Sequence, residues 1–423
     1  MEAVNNTEAV ENTELVESPE AEATIDEIFK KLEAEKPKSN IAYVYRLYPD
    51  KEQCIMFSKT FGCSRKMYNE LLFRKKKGYE ETGKFPNIKV TEIKAEFPFM
   101  DEVDSLALCN ARKHLDAAFK NHFDKKRKKV LGFPKAKKKG RCKNSYTTNN
   151  QHGTIALSEN AVRLPKIGWV KAVIHRQPEE DWLIKTATVT QLPDGAYQVS
   201  VTFEYDKPVI ERELDESTAI GLDYASDGLY VDSNGEKGSD HKYYRESEKK
   251  LKKAQRRLSR MQGAKPGQKP SNNYLKQKQK VAKIHRKIAN QRKDDREKKT
   301  TQIANEHDFV FVETLSLQGI GNSRNHLGKS TYDNGFGAFC TRLEQKMEQR
   351  GKIFMKVDKW YPSSQLCSEC GKKHPEMKDY RNHRTMVCEC GNTMDRDHNA
   401  AVNILKEGLR LYKEQQSDNK QIG

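Results

Sequence analysis

The sequence predicts an α/β fold joined to a small β-barrel or sheet that a helical segment interrupts. Three observations carry this. From Ala219 onward, short apolar strands alternate with helical stretches, as in an α/β layer. Between Ser145 and Tyr205, apolar and polar residues alternate with a period of two, broken by turn signals such as Pro193-Asp194-Gly195. Near the end of the chain, Cys367, Cys370, Cys388 and Cys390 gather at metal-ligand spacing.

The elements follow in order. Residues 1–40 are acidic, poor in aromatics and read as disordered, except that TIDEIFKKLEAE suits one short helix with Thr24 as its cap. IAYVYRLYP alternates and stops at Pro49, so it is a strand that can join the later β region across the helices. Phe57, Phe61, Met67, Tyr68, Leu71 and Leu72 recur at helical spacing between Lys51 and about Lys77. A second helical stretch runs from about Ser105 to Lys126, with Leu106, Leu108, Ala111, Leu115, Ala118 and Phe119 on its apolar side. It passes into a lysine-rich segment interleaved with Phe119, Phe123 and Phe133, a mixture suited to phosphates and stacked bases. After the β region, AIGLD ends a strand at Asp223, and Gly228 to Asp232 forms another. Tyr244 to about Ala304 is basic and helical, broken by the loop GAKPGQKPSNN. HDFVFVETLSL is a buried strand, Phe336 to Arg350 a helix, KIFMKVDKWYP a strand, and NAAVNILKEGLRLYKE a final helix.

Charge narrows the function classes. The 423 residues include 78 Lys/Arg and 60 Asp/Glu, a net +18. Residues 1–38 hold eleven acidic and four basic residues, which leaves +25 on the remainder. So basic a body suits a polyanion, most commonly nucleic acid. No stretch has the roughly 20 consecutive apolar residues of a membrane span, and the polar, acidic start is no signal peptide. Five of the nine cysteines are scattered and four are clustered, which fits a reducing cytosol with one metal site.

Two chemistries emerge. Cys367 and Cys370 are separated by two residues and followed by Gly371; Cys388 and Cys390 are separated by one and followed by Gly391. Seventeen residues intervene between the pairs, a spacing for a closed, structural Zn²⁺ site, with His374, His383 and His398 as possible substitute ligands. Asp223 and Glu313 each end an apolar strand, and Asp397 sits just before the last helix. Carboxylates so placed can converge on one sheet and hold two Mg²⁺ ions for phosphodiester hydrolysis. A rigid cysteine clip so near Asp397 would position it.

On AIGLDYASDGLYVDSNGE, FVFVETLSL, VDKWYPSSQLCSECG and CECGNTMDRDHNAAVNIL, with GFPKAKKKG and ANQRKDD, residues 41–406 resemble TnpB, the transposon-encoded RNA-guided nuclease, and its relatives the miniature type V CRISPR effectors. The resemblance implies a RuvC-like nuclease of RNase H fold with a zinc-ribbon, target-nucleic-acid-binding insert, and a wedge β-barrel split by a helical recognition lobe. It implies a wedge strand at 41–49, a recognition lobe at 50–130, the wedge barrel at 131–212 and the nuclease at 213–364. The ribbon follows at 365–394, the last nuclease motif at 395–410 and a flexible tail at 411–423. Asp223, Glu313 and Asp397 match the catalytic metal-binding carboxylates; Asp395, not directly before HNAA, is the less favoured aspartate. Mg²⁺ and structural Zn²⁺ are the implied cofactors. A guide RNA from the protein's own locus and double-stranded DNA are the implied partners, in a prokaryotic cytoplasm at the nucleoid. Monomer or dimer stays open, as do the bases read beside the target. The chain departs from many members at Asp223-Tyr224-Ala225, where they read D-L-G, and at Asp294-Asp295, where an aromatic follows the Asp of R-K-D.

The alternatives are a guide-dependent DNA-binding regulator that does not cut and a CRISPR-associated miniature effector. A strand transferase is disfavoured, because no nucleophilic Tyr lies in an obvious His-containing motif.

Overall fold

The structure, a computed structural model, describes residues 38–124, 131–207, 213–225, 227–238, 241–261, 268–315, 335–380 and 382–422. The short helix expected at Thr24 and the lysine run at 125–130 lie outside them.

Strand β1 (Lys38–Leu47) runs into α1 (Lys51–Thr82), whose N-terminus Asp50 and Gln53 close with a capping box and whose C-terminus Gly83 ends at φ +70°. The expected one or two helices are therefore one. A short helix α2 (Val90–Glu96), not anticipated, precedes α3 (Ser105–Phe123). Met67, Leu71, Ile93, Met100, Leu108 and Leu115 form the core of this helical unit.

The β region holds β2 (Asn144–Asn149), β3 (Ala156–Leu157), β4 (Ala161–Leu164), β5 (Gly168–Val173), β6 (Leu183–Gln191) and β7 (Tyr197–Asp206). With β1 they form one antiparallel sheet in the order β2-β6-β7-β1-β5-β4-β3. β1 pairs with β7 over ten residues, from Lys38↔Asp206 to Leu47↔Tyr197, so the helices are an insertion into this sheet. Tyr45, Val189, Val199, Val201 and Phe203 point inward, and Phe57 and Phe61 of α1 pack onto them.

The second half is α/β. It comprises β8 (Ala219–Tyr224), β9 (Tyr230–Asp232), α4 (Tyr243–Arg260), α5 (Asn272–Glu306), β10 (Phe309–Glu313), α6 (Phe336–Gln349) and β11 (Ile353–Val357). The sheet order is β11-β10-β8-β9: β8 is parallel to β10 and antiparallel to β9, and β10 is parallel to β11. AIGLDY and FVFVE are near-continuous apolar runs because parallel strands are covered on both faces. A hairpin, β12 (Thr385–Val387) and β13 (Thr393–Asp395), leads into α7 (Arg396–Ile422). That helix runs well past residue 411, where the sequence reading begins a flexible tail. Tyr412 is buried with its ring 5.2 Å from that of Phe309, and Lys413 reaches Glu216 at 2.7 Å, so tertiary packing carries the helix on.

Candidate active site

The parallel register puts two carboxylates side by side. Leu222 of β8 lies opposite Val312 of β10, so Asp223 and Glu313 are neighbours at the same ends of adjacent strands. Their carboxyls are close enough to affect each other's ionisation.

The third carboxylate arrives on α7, which is pressed onto this sheet at two glycines. A Cβ on Gly221 would collide with the Ala401 carbonyl and come within 2.7 Å of the Leu405 nitrogen; one on Gly408 would enter the Phe311 ring. Successive alternate residues share a strand face, so Asp223 faces the same way as Gly221. Asp397 is one helical turn before Ala401 and lies over the neighbouring level of the sheet. Asp397 thus falls within α7's first turn, not before the helix, where the N-terminal partial charge favours an anion.

Asp395 does something else. Its Oδ1 accepts the backbone N–H groups of Asp397, at 3.0 Å, and His398, at 3.2 Å, so it caps α7. His398 is no ligand of the cysteine cluster; its Nε2 lies 3.2 Å from the Ser233 carbonyl, fixing the same first turn against the end of β9.

Electrostatics marks the trio. Asp223 is buried, and burial, then Glu313 and Asp397, push its carboxyl well above the ordinary range. Burial pushes Glu313 up to about 7 against the pull of Asp223's hydrogen bond and Arg396. Burial raises Asp397 as well, partly opposed by Arg396. Arg396 donates to Asp397 Oδ1 at 2.9 Å and to the Met377 carbonyl at 3.0 Å; Arg384 lies 3.8 Å from Asp397 Oδ2. Carboxylate oxygens whose charge Arg396 and Arg384 only partly offset are what a hard divalent cation takes.

The four clustered cysteines form a second potential centre. Their sulfurs lie within 4.8 Å of one another, with Cys367–Cys390 at 3.6 Å and Cys370–Cys388 at 3.5 Å, and no histidine joins them among the described residues. A tetrahedral ion with metal–sulfur bonds of about 2.3 Å needs sulfurs roughly 3.8 Å apart, so the residues fit one. Each pair forms a turn closed by a glycine in the left-handed region, Gly371 at φ +75° and Gly391 at φ +94°. The first turn closes by Gly371 N–H to Cys367 O at 2.9 Å; the second, one residue shorter, by Gly391 N–H to Cys388 O at 3.0 Å. Burial would raise the Cys367 thiol, but backbone N–H groups at Cys370 and Glu369 and the Asn392 amide hold it down at about 6.

Two side chains that sequence reasoning passed over join the centres. Asn399 and Asn403 of α7 are buried and bond to the backbone of the first cysteine turn. Their signal was two asparagines four residues apart within an apolar helical run. A cationic groove along α4 is lined by Lys249, Lys252, Lys253, Arg256, Arg257 and Arg260. Among the described residues no helix is long and apolar enough to cross a membrane.

Comparison with known proteins agrees with this architecture. Residues 200–324 match the family described as "Probable transposase", residues 336–404 the "Cas12f1-like, TNB domain" and residues 39–84 a "Helix-turn-helix domain". In this structure that last stretch is β1 and the single helix α1. A "Putative RNA-guided DNA endonuclease" from Streptomyces pristinaespiralis is 33% identical over 87% of this chain and 89% of its own length. "Putative RNA-guided DNA endonuclease InsQ" from Escherichia coli K12 is 28% identical over 87% and 92%. Cas12f1, solved with sgRNA and target DNA, shares the fold at a TM-score of 0.50 and 14% identity, over 90% of this chain and 86% of that one. Matched in sequence across almost the whole length of such relatives, this chain belongs to the TnpB family.

Proposed function

We propose that the protein is an RNA-guided DNA endonuclease that hydrolyses phosphodiesters with Mg²⁺ held by Asp223, Glu313 and Asp397. One observation carries the reading: a buried carboxylate on β8 lies with two part-buried ones, from β10 and α7, at one end of one sheet, and both of them disfavour its ionisation. The names of the curated relatives support the reaction class. The strand order β11-β10-β8-β9, with one antiparallel and two parallel pairings, supports a RuvC-like, RNase H-type nuclease. The antiparallel sheet would be the wedge and α1–α3 the recognition lobe.

Asp223 and Glu313 offer oxygens from the sheet, and Asp397 offers them from the crossing helix. When bound, Mg²⁺ activates the attacking water and stabilises the leaving oxygen. Arg396 holds Asp397 in place and offsets part of the trio's charge. Burial disfavours the charged form of all three, so cation loading would be proton-linked. Zn²⁺ in the four-cysteine site is structural, since four thiolates leave no position for substrate. The basic α4 groove holds a guide–target duplex by its backbone, leaving sequence to base pairing. The presence of all three carboxylates speaks against a regulator that binds without cutting.

The test is Asp223→Ala in the guide-loaded protein. It should hold guide RNA as the parent does and lose Mg²⁺-dependent plasmid cleavage by at least about 10²-fold, the order expected for removal of a central charge-stabilising group. Undiminished cleavage would refute the site. Sequencing the RNA that co-purifies from the native locus separates the contexts: variable flanking sequence marks the transposon form, and repeat-derived RNA marks a CRISPR effector.

A further inference from the structure

Helix α7 is held on two opposite sides. Asp397, Ala401, Leu405 and Gly408 follow the side that meets the sheet. Asn399 and Asn403 each lie two residues, about 200° of helix rotation, beyond Asp397 and Ala401. They grip the first cysteine turn instead. Asn399 is 0% exposed: its Oδ1 accepts the Ser368 N–H at 2.9 Å, and its Nδ2 donates to the Leu366 carbonyl at 2.7 Å. Asn403 is 4% exposed, and its Nδ2 donates to the Ser363 carbonyl at 2.8 Å and the Leu366 carbonyl at 2.7 Å. One turn further, Lys406 donates to the Ser368 carbonyl. The held backbone flanks Cys367, whose sulfur also receives the Asn392 amide at 3.3 Å. An apolar side chain at 399 would take its partner from the Ser368 N–H, and one at 403 from the Ser363 carbonyl, so these amides do more than fill space.

We infer that Asn399 and Asn403 are positioning residues that transmit occupancy of the four-cysteine site to Asp397, so that a filled cysteine site tightens divalent-cation binding at the carboxylates. This rests on the metal-site reading above. With the clip filled, the Cys367 turn is stiff and presses α7 onto Gly221. With the clip empty or the amides removed, α7 loses the support opposite the sheet, and Asp397 moves away from Asp223.

The test is calorimetric titration of Mn²⁺ into the full-length chain, with zinc content measured on the same samples. Asn399→Ala and Asn403→Ala should keep one zinc per chain and a cooperative melt, yet bind Mn²⁺ at least about tenfold more weakly, the usual scale for loss of an outer-shell support. Stripping zinc from the parent should weaken Mn²⁺ binding similarly, and stripping it from the variants should add little, because one link cannot be broken twice. Unchanged Mn²⁺ affinity in zinc-loaded variants, or fully additive losses, overturns the inference. Should the alanine variants not fold, hydrogen exchange on the parent decides: stripping zinc must raise exchange in the first two turns of α7, and unchanged protection there overturns it. Asp223→Asn serves as the control. A parent with no Mn²⁺ site that this variant removes would sink the carboxylate reading itself, and the inference with it; a parent with that site and indifferent asparagines would sink the inference alone.

Discussion

Asp223, Glu313 and Asp397 are expensive to ionise together, and the sign of that cost is testable. Their folded-state proton affinities are raised, Glu313 to about 7. A raised carboxyl favours the fold while protonated, below the unfolded value of about 4.5, and the contribution fades as pH climbs through the folded value. The metal-free protein should therefore lose thermal stability between about pH 5 and about pH 8. Asp223→Asn, which removes one charge from the trio, should melt increasingly above the parent across that window, and Mg²⁺ should close the gap. A gap that stays constant with pH would show that the three do not share their protons. At this scale the sequence was informative about a residue's place in an element: strand ends for Asp223 and Glu313, a helix start for Asp397. Asp395 and Asp397 carry the same side chain two residues apart; the resemblance favours Asp397 as the ligand, and the N–H groups pointing at Asp395 show it to be the helix cap. Asn399 and Asn403 left only their spacing as a signal, because their partners are backbone groups 31 to 40 residues upstream.

Among the elements, α7 depends most on close approach. At Gly221 the two nearest obstructing atoms are backbone, which cannot rotate aside. Gly221→Ala should cost on the order of 1–3 kcal/mol of stability, as overpacking does, and should lift α7 from β8. Thermal melts would register the first effect and weakened Mn²⁺ binding the second; a variant matching the parent in both would mean the helix seats differently. Most elements were visible beforehand because periods of two and of about 3.6 are written in apolar residues. The short helix α2 buries only Ile93 and leaves little periodic trace. The length of α7 was missed for a related reason: residues 413–418 are exposed and polar, and Tyr412 just before them is anchored by a buried ring.

Across the whole molecule, charge and topology divide the work. The groove of Lys249, Lys252, Lys253, Arg256, Arg257 and Arg260 should contribute a salt-dependent, sequence-independent share of nucleic-acid binding. Replacing Lys249, Lys252 and Lys253 together by alanine should reduce the slope of log K against log salt by up to about three, roughly one for each phosphate no longer neutralised, across all target sequences alike. Filter binding at several salt concentrations measures it; an unchanged slope would place the nucleic acid elsewhere. The two halves touch where Asp194, in the β6–β7 turn, pairs with Arg286 of α5 at 2.5 Å with its own side chain 2% exposed. The sequence marked that Pro-Asp-Gly only as a turn, since a partner so distant in the chain leaves no local sign.

The seating of α7 against β8 has a consequence for how the protein is made. Asp223 must wait for a helix that begins 173 residues later, whereas the β-sheet closes once β7 has been synthesised and the basic hairpin follows soon after. Folding on the ribosome thus yields surfaces able to hold RNA well before a centre able to cut DNA. Any product of a premature stop or of proteolysis ahead of Arg396 retains the means of occupying a nucleic acid and lacks the means of breaking one. Such fragments would compete with the intact protein for its guide, an interference that dosage of a shortened gene would expose as lowered cleavage at constant RNA.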